Sequence, residues 1–361
     1  MNTFRKNYRV GSRESQLAMV QTKWVVSTLE KLHPDLSFEI IGMSTTGDKI
    51  LDVALSKIGD KGLFTKELET ALENEDIDFV VHSLKDLPTQ LPEHLTIATI
   101  SKREDPRDAV LFKSTMSSNV KTLGDLSPGS VVGTSSPRRI AQLKKHNPHL
   151  SFMDVRGNLN TRVRKLDDPQ GPYSALILAA AGVNRMGWQR RIGQFLEWED
   201  CMHAVGQGAL AIECRNDKLD VLHILESLND PATYFRCIAE RAFLRTLEGG
   251  CSIPVAVYSE LQVENNGDAF LTLRGSVWSL DGSKCIVDKL VKNLNLSPAV
   301  ENSSNGSKDK SGLTSVYPWK FHQFSNDSHC VAATVGVLLG ESLLQNGAKE
   351  ILDEVKSQSL K

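Results

Sequence analysis

The sequence predicts an α/β protein with two parallel-rich βα lobes, followed by a third, α+β domain built on an antiparallel sheet. Three observations carry this expectation. The first two hundred residues alternate short β-rich runs with amphipathic helical runs, the pattern of βαβ units. The 361 residues, 40% of them hydrophobic, are enough for two or three cores. After GQGALAIECR the pattern changes to one long helix and then three strand-like runs with no helix between them.

In order, YRVGS, QLAMVQTKWVVSTLEKL, SFEIIGM, FTKELETALEN and DFVVHS read as strand, helix, strand, helix and strand, and LTIATI and DAVLF add two more strands. The polar EDPR, residues 104–107, marks a crossing into a second lobe. There SVVGTSS, SFMDV and SALILAA are strands, and helices begin near Ser136 and Asn158. GQGAL, residues 206–210, lacks the third glycine of a dinucleotide fingerprint and precedes a strand; it reads as a hinge or close-approach turn returning the chain to the first lobe. A helix from about Ala232 to Leu247 leads into LEGGCS. IPVAVYSEL, AFLTLRGSVWSL and CIVDKLV form the antiparallel sheet, and a last helix runs from about Val331 to Lys356. The expected domains are residues 1–104 with 206–229, 105–205, and 230–361, the last with a Ser/Asn-rich mobile insert at 293–312.

No run of about 18 apolar residues is present and the N-terminus lacks an apolar signal stretch, so a cytoplasmic protein without a membrane partner is expected. Six widely spaced cysteines form no zinc-binding or Cys-x-x-Cys pattern, so neither a metal nor disulfides are expected. Cys214 and Cys237 sit in apolar patterns as small hydrophobes. Cys251, after two glycines at a helix end, does not fit that reading. A net charge of −2 argues against nucleic acid, and nothing in the chain demands more than a monomer. Charge is uneven, however: residues 138–191 hold eleven Lys or Arg against three Asp or Glu, a balance of +8 that leaves −10 elsewhere. That asymmetry points to a localised anion site.

VGSRES places Arg13 and Ser15 at a strand end, and VVHSLKDLPT puts Ser83, Lys85 and Asp86 just beyond a buried strand. Taken singly, either motif reads as a solvated loop with an ordinary Lys and Asp. GTSSPRR, residues 133–139, says more: Ser136 is an N-cap and Pro137 a first helical residue, so free backbone N–H groups there can hold an anion. Arg138 and Arg139 add forked donors, and cations are unfavourable at a helix N-terminus unless an anion compensates them. It is not a phosphate-binding P-loop, because the Gly-Lys-Ser/Thr ending is missing. RGNLNTRVRK supplies Arg156, Arg162, Arg164 and Lys165, some of which face solvent, and NRMGW brings Arg185 at another strand exit. Arginines converging on one lobe fit a ligand with many carboxylates better than a single phosphate.

GSRESQLA, STTGDKI, HSLKDLPT, GTSSPRR, RGNLNTR, AVGQGALAIE and LEGGCS, in this order, resemble the porphobilinogen deaminase (hydroxymethylbilane synthase) family over nearly the whole chain, and the insert resembles that of animal forms. The resemblance implies two lobes similar to type-II periplasmic binding proteins and a third domain whose cysteine, here Cys251, holds a dipyrromethane cofactor through a thioether. It implies a transferase of haem biosynthesis that condenses four porphobilinogen molecules onto this primer with loss of ammonia, then releases the linear tetrapyrrole by hydrolysis. Asp86 matches the family's catalytic aspartate. Lys85, Ser83, Thr134, Ser135, Ser136, Arg138, Arg139, Arg162 and Gln207 match cofactor ligands, and Arg13, Ser15, Arg156 and Arg185 match residues that handle substrate and growing chain. Each porphobilinogen carries two carboxylates, so a cleft that gathers several needs compensating donors. Pro137 departs from the family's aliphatic residue and removes one backbone N–H from the anion site. Cys251, beyond a helix C-terminus, is expected to be a tether rather than an activated thiolate. The competing reading is a two-lobed anion-binding or effector-sensing protein without catalysis, which leaves the third domain unexplained.

Overall fold

The computed structural model describes residues 5–49, 64–248, 253–265, 268–294 and 326–359. Apolar runs near the start of the chain pair in parallel because a helix between them returns the chain to the same end of the sheet. β1 (Asn7–Arg13), β2 (Ser37–Met43) and β3 (Phe79–Ser83) are joined through α1 (Gln16–Leu32) and α2 (Lys66–Glu73). β4 (Leu95–Ile100) completes this sheet, with β10 (Leu210–Arg215) inserted antiparallel between β3 and β4, giving the order β2-β1-β3-β10-β4. Tyr8, Val10, Val25, Leu29, Phe79 and Ile212 fill the core beneath α1.

The second sheet repeats this order with other strands. β5 (Asp108–Phe112), β6 (Val131–Gly133), β7 (Ser151–Met153), β8 (Ala175–Ala179) and β9 (Gln194–Leu196) run β7-β6-β8-β5-β9, with β5 antiparallel to both neighbours. Its helices are α3 (Pro137–His146), α4 (Leu159–Asp167) and α5 (Ala180–Arg185). In each sheet the antiparallel strand is the first one after a crossing, β5 on the way out and β10 on the way back. This is the predicted two-lobed, periplasmic-binding-type arrangement. β9 was not foreseen, because three residues are too few to show a period.

α6 (Leu219–Glu226) packs on the first lobe, and α7 (Pro231–Thr246) opens the third domain. β11 (Val255–Val263), β12 (Ala269–Trp278) and β13 (Cys285–Asn293) pair antiparallel as predicted, covered by α7 and by α8 (Asn326–Leu343). The single last helix was an error: Gly347, with φ 101°, sits in a wide turn at Leu344–Ala348, and α9 (Lys349–Ser359) continues beyond it. Cys214 and Cys237 are fully buried, as small hydrophobes. Cys251 and the insert from residue 295 lie outside the described residues. After α7, Glu248 has φ 50°, in the left-handed region, and the two glycines that follow it lie outside the described residues. Among the described residues no helix is long and apolar enough to cross a membrane.

The two crossings meet at GQG. Gly206 and Gly208 have φ 70° and 90°, and a Cβ on Gly208 would stand 2.3 Å from the Glu104 carbonyl oxygen, so this turn is a close approach, as the sequence suggested. Beside it, the Arg103 side chain donates to both Glu240 oxygens at 2.6 and 3.0 Å and to the Gln207 carbonyl at 2.7 Å. Gly206 N–H also donates to Glu240, at 2.8 Å. His203 lies in the same buried cluster, its carbonyl accepting from Val257 N–H of β11 at 2.9 Å.

Burial, and then Arg103, push His203 down to about 3, and burial pushes His329 on α8 down to about 4. An unfolded chain takes up protons on both below pH 6.5, the ordinary imidazole value, while the folded chain takes them up only near pH 3–4. Stability is therefore lost as pH falls through that window, by roughly tenfold in the folding equilibrium per pH unit for each group. Denaturant midpoints at pH 7.5, 6 and 5 check this, and a midpoint that rises toward pH 5 would contradict it.

Candidate active site

The parallel strands of each sheet deliver their C-terminal ends to one edge, where polar loops gather. In the first lobe, β1 ends at Arg13, whose guanidinium lies 4.3 Å from the Phe64 ring centre. Ser15 caps α1, its Oγ accepting from Ala18 N–H. β3 ends at Ser83, whose Oγ accepts from Gln21 at 3.0 Å, and a single 3-10 turn, Leu84–Asp86, then carries Lys85 and the exposed Asp86. The turn is held because Leu84 N–H donates to the Ala209 carbonyl at 3.0 Å and the Leu84 side chain is buried.

In the second lobe, Ser136 caps α3 as predicted, accepting from Arg139 N–H, with Pro137 at the first helical position. Thr134 Oγ1 accepts from Ser136 N–H at 3.2 Å. Ser135 bridges two loops, its hydroxyl donating to the Val155 carbonyl at 3.0 Å and accepting from Val155 N–H at 3.1 Å. Asn158 caps α4, a helix expected to begin near this residue. Arg162 Nε donates to the Gly157 carbonyl at 2.8 Å, and Arg164 and Lys165 are exposed, as the helical spacing required of part of that set.

Asp108, which opens β5, was not foreseen. It is fully buried and accepts from Arg138 at 2.8 Å, Arg139 at 2.7 Å and Gln207 at 2.9 Å. Burial alone would raise its pKa; Arg138 and then Arg139 outweigh this and hold it well below the usual carboxylate range. The signal was available: a carboxylate heading an otherwise apolar strand, DAVLF, needs a cation. Two sequence expectations change here. Arg138 is buried and directed to Asp108 and to the Met202 carbonyl, at 2.6 Å, so its fork serves the fold rather than an open anion pocket. Arg185 ends the short helix α5, not a strand, and donates to the Gly208 carbonyl at 2.7 Å, fastening the second lobe to the returning crossing.

Cations remain in excess. Burial, and then Arg139 and Arg156, push Arg162 down to about 10, with Asp86 opposing from the other lobe. Burial pushes Lys85 down to about 8, against Asp86, while Arg139 adds to the shift; its Nζ donates to Gln207 at 3.4 Å. Burial likewise takes Arg185 to about 10. Arg139 Nε and Arg156 Nε are buried and have no hydrogen-bond partner among the described residues. Unpaired buried donors on mutually repelling cations fit a group that brings several carboxylates. Lys85, Asp86 and Gln207 thus meet Arg139, Arg156 and Arg162 across the cleft.

Fold and cleft define a two-lobed α/β protein, its two mixed sheets sharing one strand order, with an appended α+β domain. Residues 8–223 match the family model "Porphobilinogen deaminase, dipyromethane cofactor binding domain", and residues 234–305 match "Porphobilinogen deaminase, C-terminal domain". The chain belongs to the porphobilinogen deaminase family. It is 47% identical to the porphobilinogen deaminase of Nostoc sp. over 98% of this chain and 96% of that one, and 48% identical to that of Synechococcus elongatus over 96% and 95%. These relatives are cyanobacterial and give no support to the expectation of an animal-like form. Among solved structures, the aliphatic sulphonate binding protein SsuA from Escherichia coli aligns at 14% identity and TM-score 0.36, over 68% of this chain and 71% of that one.

Proposed function

We propose that the cleft between the two lobes is the active site of this family member and that Asp86 carries its chemistry. The chain is an enzyme, a hydroxymethylbilane synthase: it condenses four porphobilinogen molecules with loss of ammonia and releases the linear tetrapyrrole by hydrolysis. The observation that carries the site assignment is the cluster of Arg139, Arg156 and Arg162, with buried Nε groups on the first two that have no hydrogen-bond partner among the described residues, facing Lys85 and Asp86. When bound, the dipyrromethane supplies the pyrrole carbon to which substrate is added. Arg139, Arg162 and Lys85, with the Ser135 N–H and the hydroxyls of Thr134 and Ser136, would hold its carboxylates, and Cys251 would tether it. Arg13, Ser15, Arg156 and Arg185 serve substrate and growing chain.

Asp86 accepts pyrrole N–H hydrogen bonds, stabilises the positive charge that develops on the incoming substrate as ammonia departs, and assists removal of the ring proton. We further propose the division into 1–104 with 206–229, 105–205 and 230–361, and a cytoplasmic monomer. Intact mass tests the tether. Wild-type protein is expected to exceed its sequence mass by two linked pyrroles and Cys251→Ser to show none of that increment. Wild-type protein at bare sequence mass would fit the non-catalytic anion-binding reading instead.

A further inference from the structure

The largest fully buried side chain among the described residues is an arginine that no step above uses. Arg241, on α7, is 2% exposed. Its Nη1 donates to the Leu87 carbonyl at 3.1 Å and its Nη2 to the Pro88 carbonyl at 2.6 Å. These are the two residues that follow Asp86. Leu84 and Leu87 also bury their side chains in the core shared with Tyr234, Phe235 and Ile238 of α7. The turn bearing Asp86 therefore has two independent anchors: β10 holds its start through the Ala209 carbonyl, and the third domain holds its end through the Arg241 fork.

We infer that Arg241 is a positioning residue: its fork on two successive carbonyls sets where Asp86 stands in the cleft. An aliphatic side chain would fill an apolar core without the desolvation cost of a guanidinium. What the guanidinium adds is direction, because a planar fork fixes the orientation of both peptide groups at once. Leu87 and Pro88 lie between β3 and β4, outside every strand, so no ladder orients these carbonyls. The adjacent Glu240 grips Gly206 N–H and Arg103 at the crossings. The same helix leads within five residues of its end to Cys251. α7 thus references the Asp86 turn and the two crossings to one element. The inference rests on Asp86 being the catalytic carboxylate.

The test uses cofactor-bearing Arg241→Lys and Arg241→Met, their loading checked by intact mass, with Asp86→Asn in parallel. At equal loading, kcat is expected to fall in the order wild type, Lys, Met, reaching about a hundredfold loss with KM little changed. Amide exchange should speed up at residues 84–87 and stay unchanged in β8. A lysine can reach one carbonyl but cannot fork, so partial rescue by Arg241→Lys is the signature of positioning. Wild-type kcat in loaded Arg241→Lys and Arg241→Met overturns the inference, as does a loss that merely follows the unloaded fraction with exchange at 84–87 unchanged. If Arg241→Met does not fold, Arg241→Lys decides alone. Full turnover in Asp86→Asn removes the premise instead, whatever the Arg241 variants do.

Discussion

Asp86→Asn is expected to lower turnover by about 10²–10⁴-fold while leaving the fold and cofactor attachment in place. The side chain is exposed in the cleft, so the substitution leaves no buried group unsatisfied, and asparagine keeps its size. What is lost is the charge. As ammonia leaves the substrate, positive charge grows in a cleft already lined by Lys85, Arg139, Arg156 and Arg162, an environment hostile to a cation. Asp86 is the carboxylate at the meeting point of these groups, and an amide cannot offset the new charge or take a proton from the ring. Single-turnover assays on mass-verified holoprotein, with circular dichroism as the folding control, make the measurement. Turnover within a few-fold of wild type would sink the assignment and with it the placement of chemistry in this cleft.

What was legible in the sequence was mostly local. Ser136 was readable as a helix cap, and a helix start near Asn158, because an N-cap is set by its own side chain and the next three residues. The strand runs were readable because each is flanked by turn residues, and GQG because a paired glycine turn implies a close approach. Long-range partners were hidden. The sequence places Arg138 and Arg139 side by side at a helix start, yet nothing local says that a single carboxylate thirty residues earlier takes a bond from each. Arg185 was misplaced because ALILAAAG passes from strand to helix without a polar residue to mark the change. The kink at Gly347 was missed because NGAK inside a continuing apolar period resembles an ordinary helix. Glu240 and Arg241 left a trace that went unused: adjacent opposite charges in the middle of an apolar helix, where burial of either demands a distant partner.

The second large effect is expected at that trace. Arg103→Met or Glu240→Leu alone should cost about 3–5 kcal/mol, because each leaves its partner charged and buried. The two side chains are 3% and 0% exposed. Burial acts to raise the Glu240 pKa, but Arg103 and then His203 outweigh it and bring it to about 2. A carboxylate depressed in this way contributes stability above its unfolded value, which is lost as pH falls through about 2. The pair also does more than neutralise itself. Arg103 reaches the Gln207 carbonyl, Glu240 the Gly206 N–H and the Ser259 hydroxyl, so one network joins the outgoing crossing, the returning crossing and the third-domain sheet. A paired replacement separates the two roles. Arg103→Met with Glu240→Leu removes both charges and should recover much of the thermal stability lost by either single change. It should not recover turnover, because the contacts that reference the crossings to the third domain are gone. Melting temperatures and kcat of the two single variants and the double variant complete a cycle. Recovery of both quantities together would mean that the network serves stability alone; recovery of melting temperature without kcat would show that these buried charges hold the two lobes and the third domain in the arrangement the reaction needs.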